Sequence, residues 1–148
     1  MTTPAGYRRI RQTYGTVGTD WLSPSSATFP GALSFAQVQY PQPTTFRGDG
    51  TPAGAFGAPQ LTWEFAPLTQ TQFYQVQSLF AHVPAEWNYA PVEVEDIDPR
   101  ETTANAKYHV WTGIALRPDR PETWRNTGAG HMVFGVRLLV TALEDVTE

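Results

Sequence analysis

The chain contains no cysteine. That excludes a disulfide framework, a thiol nucleophile and a thiolate-bound metal. Charge is also scarce: 16% of residues are Asp, Glu, Lys or Arg, against about 25% in an average globular protein. The net charge is -4, and the basic residues are scattered, with Arg8, Arg9 and Arg11 as the only short run. A phosphate-binding face requires a concentrated basic patch, so sequence-specific nucleic-acid binding is not expected. No apolar stretch approaches the ~20 residues of a membrane helix. The opening MTTPAGYRRI lacks the apolar centre of a secretion signal, and no Asn-x-Ser/Thr sequon occurs. These absences lead to an expectation of synthesis in the cytosol without a membrane partner.

What is present is apolar and aromatic. Hydrophobic residues make up 41% and aromatics 13% of 148 residues, too much for a disordered chain and enough for one domain with its own core. Tyr7 to Tyr14 reads as a weakly alternating edge strand. Residues 15–31 read as a loop pinned by Trp21, Leu22 and Phe29. Residues 32–40 form a strand whose period slips near Ala36 and Gln37, as a bulge would cause. In residues 59–65, Leu61, Trp63 and Phe65 share a face.

After Pro67 the period changes. Thr69 followed by Gln72 has the form of a capping box, and Phe73, Val76, Phe80 and Val83 follow at helical spacing. The spacing predicts a helix over Thr69–His82, closed before Pro84. Val92 and Val94 then alternate with Glu93 and Glu95. Tyr108, Val110, Thr112, Ile114 and Leu116 form one face of a further strand. Met132 to Val140 reads as a single long strand, with Leu139 and Leu143 as surplus apolar positions on its outer side. The expected fold is mainly β: a β-sandwich or open barrel of about six or seven strands with one helix packed on it. It forms a single domain, 1–148, with a flexible N-terminal arm at 1–6 and a long loop at 41–58. Such a loop exceeds the usual ~4–6 residues of a connection, as functional loops do.

The residues that could carry chemistry do not combine. His82, His109 and His131 lack the spacing of a metal-ligand pair. Glu93, Glu95, Asp96, Asp98 and Glu101 concentrate carboxylates but lack the Ca²⁺-loop pattern, and they read as an acidic edge facing solvent or a partner. The segment 46–57 is glycine-rich, yet it lacks the Gly-Lys-Ser/Thr ending of a phosphate loop. No nucleophile elbow or Ser/His/Asp set is found. The chain is therefore not expected to be an enzyme, and no catalytic, cofactor or metal residues are assigned.

The β-rich layout with one helix, the early Pro/Gly loop and the final segment ending VTALEDV together resemble the tail structural proteins of tailed bacteriophages, of the tail-tube-like β-sandwich class. The resemblance spans residues 32–146. It implies a virion protein, assembled in the host cytoplasm, that forms a homo-oligomeric ring with other virion proteins as partners. In that reading loop 41–58 reaches a neighbouring subunit, with Phe46, Arg47 and Phe56 together with Leu139 and Leu143 at the interface. Glu93, Glu95, Asp96 and Asp98 would line an acidic lumen or partner-facing surface that allows passive DNA passage. Residues 15–31 and 117–130 are longer than such a domain needs, which leaves a capsid-decorating role open. A carbohydrate- or receptor-binding module using Trp87, Trp111 and Trp124 is a further alternative, and a small hydrolase using the 93–101 carboxylates is another.

Overall fold

The structure, a computed structural model, describes residues 2–15, 20–31, 33–42, 45–53, 57–118, 123–127 and 130–148, with backbone alone described at 123–127, 130 and 131. It is mainly β, a curled six-stranded antiparallel sheet with a single α-helix among the described residues. The sheet contains β1 (Arg9–Gln12), β2 (Leu33–Gln39), β5 (Gln60–Phe65), β7 (Tyr89–Ile97), β8 (Tyr108–Leu116) and β11 (Arg137–Asp145), in the order β1-β7-β8-β11-β5-β2. A two-stranded hairpin, β3 (Thr45–Phe46) and β4 (Pro52–Ala53), occupies part of loop 41–58. A smaller sheet joins β6 (Leu68–Thr69), β10 (Gly130–Phe134) and β9 (Thr123–Thr127).

Helix α1 (Gln70–Gln77) begins where the capping box places it. Thr69 Oγ1 accepts from the Gln72 N–H at 3.2 Å, and Gln72 Oε1 accepts from the Thr69 N–H at 2.9 Å. These bonds satisfy two amides that the first turn otherwise leaves open. The helix ends before His82. Ser78 Oγ donates to the Gln75 carbonyl at 2.6 Å, and the chain tightens into a 3-10 turn over Ser78–Phe80. The predicted apolar stripe is nonetheless retained, with Phe73, Val76, Leu79, Phe80 and Val83 all buried. Among the described residues no helix is long and apolar enough to cross a membrane.

The core lies between the inner face of the sheet and this helix. Leu61, Trp63 and Phe65 enter it as expected, with Phe29 set edge-on to Trp63 at 6.5 Å between ring centres. In β8 the Tyr108–Leu116 set shares one face as expected, and it is the opposite face, with Trp111 and Ala115, that joins the core. The pairings Val94–Trp111, Val92–Gly113 and Ala90–Ala115 place the odd-numbered positions inward. The long terminal strand is two strands in different sheets, separated at Gly135, whose φ of +72° favours glycine. The slip in β2 falls between Leu33 and Phe35, where Ser34 is the extra residue, rather than at Ala36.

A second bulge interrupts β11 between Thr141 and Glu144, with Ala142 at φ +55°. It reverses the side to which the following residue points, so Leu143 enters the core at 4% exposure. Gly113 makes the room: a Cβ there would lie 2.8 Å from the Thr141 carbonyl oxygen and 2.9 Å from Leu143 Cδ2. Leu143 is therefore a core residue and not the interface position expected of it. Within the arm expected at 1–6, the Thr2 N–H donates to the Val146 carbonyl at 3.1 Å, and its own carbonyl accepts from the Glu148 N–H at 3.1 Å.

Candidate functional site

Strand pairing sets the charged residues of β1 against those of β7. Arg9 stands opposite Glu95, and Arg11 opposite Glu93. Arg9 Nε donates to Glu95 Oε1 at 2.8 Å, and Arg11 Nη2 to Glu93 Oε1 at 2.6 Å. Both guanidinium groups lie over Trp21, 3.9 and 4.4 Å from its ring centre, a favourable cation–π arrangement. Glu95 also accepts the Ala5 and Gly6 N–H groups at 2.9 and 2.7 Å. On the inner side, Arg8 Nε donates to Asp96 Oδ1 at 2.8 Å, and Trp63 Nε1 donates to Asp96 Oδ2 at 2.7 Å.

The acidic cluster is thus mostly interior. Glu95, Asp96 and Asp98 are 0%, 1% and 8% exposed, so they form neither a lumen wall nor a partner-facing surface. Burying a carboxylate requires compensating donors, and the arginine run supplies them for Glu95 and Asp96. Glu93 is half-buried in its pair with Arg11. Burial pushes its pKa up, but the Thr2 hydroxyl (2.7 Å) and Arg11 outweigh that and leave it below the ordinary value. The folded state therefore holds the ionised form more tightly than the unfolded chain does. This stabilisation is complete above the ordinary carboxylate pKa of about 4.3 and is lost as pH falls through the lower folded value. Melting temperatures measured from pH 6 to pH 3 will fall at the acid end, and Glu93→Gln will make that fall shallower.

A second polar group gathers where β7, β8 and β11 end together. His109 Nδ1 lies 2.6 Å from Asp145 Oδ2, and its Nε2 lies 2.8 Å from Glu101 Oε2. Asp98 Oδ2 approaches Nδ1 at 3.6 Å. Burial lowers the His109 pKa, but Asp145 and Glu101 outweigh burial and raise it overall. Asp145 moves up by burial and further down through Thr147 and His109, a net lowering. Glu101 is lowered by the Thr103 N–H and by His109. The Tyr40 hydroxyl donates to Asp98 Oδ1 at 2.8 Å, and burial together with that carboxylate pushes its pKa up to about 12. Among the described residues, Asp98, His109 and Asp145 are the one group of His and carboxylate side chains whose ligand atoms converge, all within 4.8 Å.

The residues expected at a subunit interface lie elsewhere. Phe46 projects from the β3–β4 hairpin at 62% exposure, and the exposed Arg47 begins its turn, with the Gly50 N–H donating to the Arg47 carbonyl at 2.9 Å. Phe56 lies outside the described residues. Leu139 is half-buried on the outer face, where the register aligns Tyr89, Leu116 and Leu139 across β7, β8 and β11. Tyr89 and Leu116 are 38% and 40% exposed. Ile114 and Pro91 form the adjacent, half-buried pair. Trp87 stacks on Tyr89 at 4.8 Å and meets Tyr14 edge-on at 5.3 Å. Trp111 is buried, which removes it as a sugar platform, and the Trp124 side chain lies outside the described residues.

Periodicity identified neither the Tyr89–Leu116–Leu139 row nor the His109 group, because both depend on strand register. Comparison with family models, with curated proteins and with solved structures finds no match.

Proposed function

We propose that this chain is a non-enzymatic structural protein that assembles head to tail into a homo-oligomeric ring, as a component of a phage tail or neck. The observation that carries the reading is the pair of unlike apolar surfaces on one chain. One is the projecting hairpin bearing Phe46; the other is the Tyr89–Leu116–Leu139 row on the outer sheet face. Large apolar side chains exposed side by side mark contact sites. Two different patches that fit each other generate a heterologous interface, which closes into a ring when the rotation allows. The aligned row suits the flat side of a neighbour's hairpin, and the weakly charged exterior imposes little repulsion between copies. The phage setting rests on the resemblance in layout described above.

Because the two patches are unlike, variants damaged in different patches should complement each other when mixed. Phe46→Ser removes the hairpin anchor, and Leu116→Glu places a charge in the receiving row. Each variant alone is expected to sediment as a monomer. Mixed in equal amounts, they are expected to form dimers and nothing larger, since only one intact interface can form per pair. Rings from either variant alone would contradict the assignment of these surfaces.

A further inference from the structure

We propose that Asp98, His109 and Asp145 form a binding site for a divalent transition-metal ion of the zinc type, ligated by Asp98 Oδ2, His109 Nδ1 and Asp145 Oδ2. The three atoms belong to residues at the ends of three adjacent strands and lie within 4.8 Å of one another. In each residue the other polar atom is held from behind. Asp98 Oδ1 accepts from the Tyr40 hydroxyl at 2.8 Å and the Arg100 N–H at 2.9 Å. Asp145 Oδ1 accepts from the Thr147 N–H at 2.9 Å. His109 Nε2 faces the Glu101 carboxylate at 2.8 Å. A metal-binding histidine commonly donates its second ring N–H to a carboxylate, which fixes the tautomer that directs the free lone pair at the ion.

Asp98 gives a separate indication. It is 8% exposed, and among the described residues its Oδ2 accepts no hydrogen bond, meeting only the His109 ring at 3.6 Å. That leaves the Oδ2 lone pairs open to an ion arriving from solvent, on a carboxylate whose other oxygen is already held. The donor set selects the ion. One imidazole nitrogen and two carboxylate oxygens suit zinc, with ligand distances of about 2.0–2.2 Å. Ca²⁺ prefers six to eight oxygens, more than this group offers. Ligands of a tetrahedral zinc stand about 3.4 Å apart at those bond lengths, close to the Asp98–His109 spacing. The 2.6 Å spacing between His109 and Asp145 must widen by under an ångström, and the Asp145 side chain is the most exposed of the three at 44%. The proton between those two groups leaves to solvent as the ion enters. A solvent-open cavity of about 540 Å³, lined by Glu101, Tyr108, His109 and Thr147, borders the site.

The test is titration of the chelator-treated full chain with Zn²⁺ by calorimetry, with Co²⁺ as a spectroscopic probe. One ion per chain is expected, with the visible absorption of a nitrogen- and oxygen-ligated cobalt. His109→Gln and Asp98→Asn should abolish saturable binding. Glu101→Gln, which alters only the support behind His109, should weaken it by roughly tenfold or more. Glu93→Gln should leave affinity unchanged. If the His109 variant fails to fold, nitrogen-detected NMR of the unaltered chain decides, since Zn²⁺ must perturb the His109 Nδ1 resonance and leave those of His82 and His131 in place. Binding that survives His109→Gln, a perturbed His82 or His131 in place of His109, or no saturable binding at all would overturn the assignment.

Discussion

Glu95→Ala is expected to destabilise the fold by about 3–5 kcal/mol, the range for deleting one partner of a buried ion pair. Glu95 is fully buried and serves three donors: Arg9 Nε and the N–H groups of Ala5 and Gly6. Its removal leaves Arg9 as an uncompensated cation at a side chain only 11% exposed, and it also frees the segment that the two amides anchor. Glu95→Gln keeps the shape and one acceptor oxygen, so its loss should be smaller. The double replacement Arg9→Met with Glu95→Met should recover much of the loss, because an apolar pair has no charge to desolvate. Urea unfolding of all three variants measures these differences. Amide exchange at Ala5 and Gly6 should quicken in Glu95→Ala.

Trp63→Ala is expected to cost a similar amount, about 3–5 kcal/mol, for a different reason. Trp63 is 1% exposed at the centre of the inner face, against Phe29, and its indole N–H donates to Asp96 at 2.7 Å. Alanine leaves a cavity and removes a donor from a buried carboxylate. Trp63→Phe fills most of the volume but still removes that donor, so its cost isolates the hydrogen bond. About 1–3 kcal/mol is expected for the under-satisfied Asp96. Set against a total stability of about 5–15 kcal/mol, either alanine variant should shift the unfolding midpoint far, with an unchanged dependence on urea.

The two variants bear on how much of this molecule its sequence reveals. Local rules were readable. The capping box at Thr69 and Gln72 starts the helix, Leu61, Trp63 and Phe65 point inward, and Phe29 pins its loop. Pairing between distant segments was not. Arg8, Arg9 and Arg11 and the acids at 93–96 stand out in the sequence as two unrelated charge runs, yet they lie 82 to 88 residues apart and cancel each other across one ladder. In β8 both faces carry apolar residues, so alternation finds the strand but not its inward side; the partner strand decides that.

Leu143 fails for a further reason. A non-glycine residue at positive φ, Ala142, turns it inward, and nothing in the residue type announces the bulge. The surroundings of His109 were hidden for the same cause as the ladder. Asp98, Glu101 and Asp145 reach it from 8 to 36 residues away in sequence and meet only where three strands end. Gly135, by contrast, was a visible punctuation mark inside an otherwise regular strand pattern, and the chain does divide there into two sheets.

Sedimentation velocity of the unaltered chain over a hundredfold concentration range, with negative-stain images of the fastest species, tests the proposed self-assembly through two unlike surfaces. A discrete oligomer seen as closed rings of one size is expected, lost in Phe46→Ser and in Leu116→Glu. A single monomer boundary at every concentration would contradict it.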